Sequence, residues 1–181
     1  MTLPLRLLLV LFVWALPSAA AWAAPSSEYE VKAAFLFNFA KFVEWPAKAT
    51  DKDKAMVKLC LVGADPFDGA LAGFENRLLG NKRFVSRRLK LESDAELLAC
   101  DILFIARSEQ DRLASLLQAV KDLPILTVGD GEGYARLGVM INFYLDQGKV
   151  RFEINPHAPR RAGLQLSAKL MQLGRPVEGL E

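Results

Sequence analysis

The chain has 181 residues, and its formal net charge of +2 comes from 23 basic and 21 acidic side chains. This near balance argues against electrostatic binding to nucleic acid or to a membrane surface. With one histidine, the chain also lacks the two or three imidazoles that a hydrolytic metal site normally needs.

The first 23 residues have the pattern of a secretory signal peptide. Arg6 provides a positive start, Leu7–Leu16 is an unbroken run of ten apolar residues, and Ala21–Ala23 fits a cleavage site. An uncleaved anchor is the weaker alternative, because about 20 apolar residues are needed to span a bilayer. Cleavage of residues 1–23 from the 181 leaves 158. We interpret residues 24–181 as one exported domain that is not inserted in the membrane.

The stretch from Glu28 to Pro46 predicts a long α-helix. It has no Gly or Pro between Tyr29 and Trp45, and Pro46 would end it. Apolar side chains cover most of the helical wheel, so a core must cover this helix. The remaining narrow polar stripe consists of Glu30, Asn38, Lys41 and Glu44.

Phe37 and Trp45 flank this polar stripe on the wheel. Large apolar groups at such positions hint at a contact surface on the protein. Packing of the two rings against a loop of the same domain is the equal alternative.

After a polar connector, residues 47–54, short apolar strands alternate with helical segments. The predicted strands are Val57–Val62, Lys82–Leu89, Asp101–Ala106 and Ile125–Val128. The first predicted helix is capped by Asp65 and includes Phe67, Leu71, Phe74 and Leu78. A short helical turn is predicted at Glu92–Ala99. The next helix is predicted over Glu109–Leu123, with Ser108 as its cap. This alternation predicts a parallel sheet with helices on both faces.

The end of the chain changes character. Val139–Leu145 and Lys149–Asn155 alternate apolar and polar residues around a turn at 146–148, which predicts an antiparallel hairpin with one solvated face. A last helix is expected from the prolines at 156 and 159 to about Leu173. The predicted fold is therefore α/β, with three layers (α/β/α), a mostly parallel sheet and a C-terminal antiparallel hairpin.

Cys60 lies in the first predicted strand and Cys100 immediately before the third. Such strands are usually neighbours in doubly wound sheets, and an exported protein is exposed to oxidising conditions, so a disulfide is expected. Two buried free thiols remain an alternative, as does a redox switch.

Two further segments contain residues that can support chemistry. The loop Gly129–Gly133 follows a predicted strand, and its acidic residues, Asp130 and Glu132, would repel a phosphate group. The same two acids make a metal-binding loop conceivable. A flexible loop at the end of the strand is the simpler interpretation. His157 would need a Ser or Cys nucleophile beside it to act as a catalytic base, and the sequence contains no motif for such a nucleophile. We therefore interpret His157 as a surface residue. No catalytic set, metal site or cofactor fingerprint is recognised, so the chain is not expected to be an enzyme.

Six motifs in order resemble the YfiR/HmsC-like family of exported bacterial proteins. The motifs extend from Glu28 to about Leu173. The chain departs from the family pattern at Val139, where many members have a second Gly beside the one at position 138. The motifs are EYEVKAAFLFNFAKFVEWP, CLVGADPF, CDILFIARSE, ILTVGD, MINFYLDQGKVRFEIN and RAGLQLSAKLMQL.

The resemblance implies a periplasmic repressor. It would bind the periplasmic sensor domain of an inner-membrane diguanylate cyclase, keep the cyclase inactive, and so lower cyclic-di-GMP and biofilm formation. It also implies an α/β/α fold that is often dimeric, which leaves a homodimer open, and a disulfide between Cys60 and Cys100. Other members accompany different membrane sensors. A solute-binding or sensor-accessory protein that uses the Gly129–Gly133 edge is the alternative.

For the repressor we expect docking through the first helix, extended by the solvated face of the hairpin. The expected contact residues are Phe37, Lys41, Glu44, Trp45, Arg151 and Glu153, with Asn155 beside them. Aromatic anchors inside a charged rim are common at binding hot spots.

Overall fold

The computed structural model describes residues 26–46, 55–91 and 93–179. The signal-peptide pattern, the connector at 47–54 and Glu92 lie outside these residues. Within the described ranges, no helix is both long and apolar enough to cross a membrane.

The described residues form helices and strands in alternation. The α-helices are α1 (Ser26–Phe39), α2 (Leu113–Val120), α3 (Tyr134–Leu137), α4 (Ala158–Arg161) and α5 (Ala168–Leu173). The strands are β1 (Val43–Glu44), β2 (Met56–Val62), β3 (Leu78–Leu79), β4 (Lys82–Leu89), β5 (Ile102–Ile105), β6 (Leu126–Gly129), β7 (Ile141–Asp146), β8 (Lys149–Ile154), β9 (Gln165–Leu166) and β10 (Arg175–Pro176). Short 3₁₀ helices cover Ala70–Phe74, Asp94–Ala99 and Arg107–Arg112.

In this part of the chain, eight strands form one sheet in the order β10-β8-β7-β6-β5-β2-β4-β3, and β1 pairs with β9 separately. The central strands β4, β2, β5, β6 and β7 run parallel. The β7–β8 pair is the antiparallel hairpin. Both edge strands, β3 and β10, are only two residues long. The predicted α/β class, mostly parallel sheet and hairpin are confirmed.

Two apolar cores lie on opposite faces of this sheet, because successive strand side chains point to opposite sides. On the first face, α1 places Leu36 and Phe39 in a core with Phe104. On the second face, α2 places Leu116 in a core with Leu103. We call these the first face and the second face below.

Cys60 and Cys100 form a disulfide in the second-face core, with their Cα atoms 5.8 Å apart. The bond follows from the pairing of β2 with β5, which places Cys60 opposite Leu103, three residues after Cys100. The expected pairing is therefore confirmed.

The first helix is shorter than predicted. It ends at Phe39, where the N–H groups of Lys41 and Phe42 bond the carbonyls of Asn38 and Phe39 in a tight turn. The β-branched Val43 then pairs with Leu166 in β1–β9. Strand pairing with a distant segment overrides the helical pattern of the sequence.

Two expected helix caps close turns instead. The Asp65 carboxylate accepts the N–H of Phe67 at 2.8 Å, and only a 3₁₀ turn and β3 follow. Ser108 Oγ accepts the N–H of Ala64 at 2.9 Å, and α2 begins at Leu113.

The predicted last helix is divided into α4 and α5. Gly163 lies between them with a positive φ of +71°, which interrupts helical geometry and lets β9 form.

Replacing both cysteines by alanine should lower the free energy of unfolding by up to about 4 kcal/mol, because the bond closes a loop of about 40 residues in the unfolded chain. Urea denaturation of the variant and of the oxidised protein measures the loss. The two apolar cores should keep the variant folded. An unchanged midpoint would contradict this expectation.

Candidate functional site at the carboxyl end of the sheet

The parallel strands end at a point where the chain diverges. The segment after β2 crosses the first face, where Phe67 and Leu71 join the core. The segment after β5 crosses the second face, where Leu113 and Leu116 join the other core. Open α/β sheets bind ligands in the crevice that such diverging loops create.

Asp130, the first residue after β6, is the centre of a polar cluster at this end. Its carboxylate is 1% exposed. Oδ2 accepts hydrogen bonds from Tyr29 Oη at 2.8 Å and from Lys32 Nζ at 3.0 Å. Oδ1 accepts the backbone N–H of Arg107 at 3.2 Å. The cluster thus joins α1 to the exits of β5 and β6.

Lys32 is the buried cation of this cluster. Its side chain is 2% exposed, and Nζ lies 2.6 Å from Glu28 Oε1 and 4.2 Å from the ring centroid of Tyr29. A buried ion pair is tolerated when each charge is paired and hydrogen-bonded, and both Lys32 and Asp130 meet this condition.

Arg107 connects the buried cluster to the protein surface. Its Nη2 lies 3.3 Å from Asp130 Oδ2 and 3.2 Å from Tyr29 Oη, while 63% of the side chain is exposed. The charge of Asp130 raises the pKa of Arg107. Burial, followed by the hydrogen bond to Asp130, raises the pKa of Tyr29 to about 12. The folded protein therefore keeps this phenol protonated to more alkaline pH than the unfolded chain does.

The loop after β6 is packed, contrary to the interpretation as a flexible strand exit. A side-chain carbon at Gly129 or Gly131 would overlap the ring of Tyr134, which is buried beneath the loop. The Tyr134 hydroxyl donates to Ala106 O at 3.2 Å and so links the exits of β6 and β5.

The metal-loop alternative does not fit this arrangement. Asp130 is bound by Lys32 and Arg107, whereas Glu132 is exposed. Among the described residues, no group of three or more His, Cys, Asp or Glu side chains is placed to hold a metal ion.

Two cavities meet at Arg107 and Asp130. The smaller, of about 270 Å³, lies between the diverging loops and is lined by Tyr29, Ala64, Asp65, Pro66, Ala106, Arg107, Ser108 and Asp130. The larger, of about 640 Å³, extends over β7 and β8 and has side chains of both signs on its walls, including Glu28, Glu132, Arg136 and Arg175. We call the smaller cavity the crevice and the larger one the groove.

Phe37, expected as a surface anchor, belongs to the core. Its side chain is 4% exposed, and its ring centroid lies 5.2 Å from that of Phe74 and 5.4 Å from that of Phe84. Lys41 and Arg77 cover the ring from outside. The interpretation of Phe37 as a surface anchor is wrong, and the alternative, packing against a loop of the same domain, is correct, because the segment after β2 with Phe74 packs over α1.

The other expected contact residues near α1 are more accessible. Lys41 and Glu44 are exposed. Trp45 is half-buried against the first-face core, and its indole nitrogen is buried without a hydrogen-bond partner among the described residues.

The hairpin residues project from the opposite face. Arg151 and Glu153 alternate with Phe152, which packs in the first-face core under α1. Glu153 binds Arg175 at 3.1 Å and lines the groove. Asn155 is buried and donates to a backbone carbonyl. The single surface expected from α1 and the solvated hairpin face is therefore divided by the sheet.

A family model described as YfiR/HmsC-like matches residues 29–175 of the chain. The match extends from α1 to β10 and includes Tyr29, Lys32, Arg107 and Asp130. No curated protein matches the chain.

Breaking the buried ion pair should be costly. Lys32→Met and Asp130→Asn should each lower the free energy of unfolding by about 1–3 kcal/mol, because each removes one partner of a buried charge. Lys32 keeps Glu28, and Asp130 keeps Tyr29 and Arg107. The double variant should lose less than the two losses added together, since its members interact directly. Urea denaturation of all four proteins measures this. The exposed pair Arg151 and Asp146, whose side chains are 55% and 54% exposed, is the control and should change stability by less than about 1 kcal/mol when it is removed. Additive losses for the buried pair would contradict the direct interaction.

Phe37→Ala should lower the free energy of unfolding by about 3–5 kcal/mol, as expected for a buried aromatic ring. The exposed Glu44→Ala is the control and should change stability by less than about 0.5 kcal/mol. Thermal denaturation followed by circular dichroism compares the two. Equal melting temperatures would contradict the core position of Phe37.

Proposed function

Because the chain belongs to the YfiR/HmsC-like family, we propose that it is an exported periplasmic regulator which binds an inner-membrane diguanylate cyclase and represses it. The family match over residues 29–175 carries this proposal. The signal-peptide pattern of residues 1–23 supports export. Repression lowers cyclic-di-GMP and biofilm formation, and it requires that the regulator bind the inactive arrangement of the cyclase more tightly than the active one. The chain regulates its partner without a reaction of its own.

The docking surface in this proposal lies beside the C-terminal end of α1. Lys41 and Glu44 provide exposed charges there, and Trp45 provides an aromatic surface half-covered by the core. Phe37 supports this surface from beneath, since the Lys41 nitrogen lies 4.7 Å from its ring centroid. Arg151 and Glu153 form a second, separate candidate surface on the second face.

The test exchanges charges while keeping the net charge constant. Deleting the gene in its host should raise cyclic-di-GMP, and the unaltered chain should restore the low level. The Lys41→Glu/Glu44→Lys variant should fail to restore it, because the exchanged charges would meet like charges on the partner. Cyclic-di-GMP, periplasmic protein level and melting temperature are measured for each strain.

The matched control is Lys121→Glu/Asp122→Lys, which exchanges two exposed charges at the C-terminal end of α2, away from this surface. It should restore the low level. A deletion that leaves cyclic-di-GMP unchanged would refute repression of a cyclase. Full activity of the Lys41/Glu44 variant, combined with a defect of Arg151→Glu, would move docking to the second face.

The second candidate function is a periplasmic solute-binding or sensor-accessory protein that acts on another membrane receptor. The observation in its favour is the concave carboxyl end of the sheet, where polar groups converge on two cavities. Co-purification from detergent-solubilised envelopes distinguishes the two, since a cyclase should be retained only under the first proposal.

A further inference from the structure

The crevice lies at the position where the topology of the sheet favours ligand binding. It is bounded by the loop after β2, with Ala64 and Pro66, and by the loop after β5, with Ala106 and Ser108. The two loops approach closely, because a side chain at Gly63 would collide with Ser108. The hydrogen bond from Ala64 N to Ser108 Oγ fixes their separation. The crevice is thus a formed cavity between two connected loops.

Arg107 provides the charge at the mouth of this crevice. Only Nη2 of its guanidinium bonds Asp130 and Tyr29, so Nε and Nη1 have no hydrogen-bond partner among the described residues. Asp130 is held in turn by Lys32, which fixes the position of the anchoring carboxylate. A guanidinium that is anchored at one nitrogen and free at the others can bind an oxyanion with little loss of conformational entropy.

The lining of the crevice defines the chemical class of the anion. Tyr29, Ala64, Pro66 and Ala106 place mainly apolar atoms around it. A volume of about 270 Å³ holds a short acyl body. The carboxylates of Asp65 and Asp130 also line it and would repel a doubly charged phosphate more than a singly charged carboxylate.

We propose that the crevice binds a small monocarboxylate, whose carboxylate pairs with Arg107 and whose short apolar body lies between Tyr29 and Pro66. The site does not depend on the proposed function, because it needs no partner protein. In a regulator, such a ligand would act as the input signal if it bound one arrangement of the protein more tightly than another.

Isothermal titration calorimetry of the mature protein tests the proposal. The probes are propionate and alanine, which distinguish a simple acid from a zwitterion, together with propionamide and inorganic phosphate. At least one of the two carboxylates should bind, and propionamide and phosphate should bind more weakly. Arg107→Gln should weaken carboxylate binding at least tenfold, because a hydrogen-bonded charge pair is lost.

Arg112→Gln is the matched control for the arginine substitution. It lies in the same 3₁₀ segment with 56% of its side chain exposed, but outside the lining of the crevice, so it should bind like the unaltered chain. Ala64→Phe places a large side chain in the crevice from an exposed position and leaves the charge of the crevice unchanged. This variant should no longer bind the carboxylates. Both variants are first checked for an unchanged fold by circular dichroism.

Three results would overturn the proposal. The first is no detectable binding of either carboxylate to the unaltered chain at millimolar concentration. The second is that Ala64→Phe or Arg107→Gln binds the carboxylates with the same affinity as the unaltered chain. The third is tighter binding of phosphate than of both carboxylates, which would refute the ligand class.

Discussion

The buried ion pair between Lys32 and Asp130 is the interaction on which the carboxyl end of the sheet depends. It joins the first helix to the strand exit at β6, and through Tyr29 and Arg107 it fixes the adjacent exit of β5. Two charges removed from water are stable together but costly apart. The first turns of α1 can therefore leave the sheet only if both charges are rehydrated at once. This coupling makes the helix part of the site as well as the cover of the first-face core.

Six of the ten described strands, β2 and β4 to β8, could be predicted because their signals are local. The two-residue strands β1, β3, β9 and β10 were not predicted. Short β-branched apolar runs mark β2, β5 and β6, and alternation around a glycine turn marks the β7–β8 hairpin. The disulfide could also be predicted from the sequence, because neighbouring strands in a doubly wound sheet bring Cys60 and Cys100 together. These features need no knowledge of distant contacts beyond the usual topology of such sheets.

The features that the sequence did not reveal depend on contacts between distant segments. Lys32 and Asp130 are 98 residues apart, so no local pattern in the sequence pairs them. Phe37 looked like an edge residue on a helical wheel, but the segment after β2 covers that edge. The early end of α1 results from the pairing of Val43 with Leu166. A signal for Asp130 did exist in the glycines on either side of it, which are required by the ring of Tyr134.

The two-residue strands at both edges of the eight-stranded sheet have a consequence for association of the protein with other chains. A long open edge strand offers unpaired backbone groups to any extended chain, and it can start fibre-like association. Here β3 and β10 are too short to serve as templates, and the Glu75 carboxylate accepts the Ser86 N–H of β4 at 2.8 Å. These edge strands each cover only two residues of their neighbours, so farther along β4 it is the Glu75 carboxylate that occupies a backbone donor which an added strand would need. An added strand would have to displace this carboxylate first, which makes the edge of β4 a poorer template for association without any change in the core.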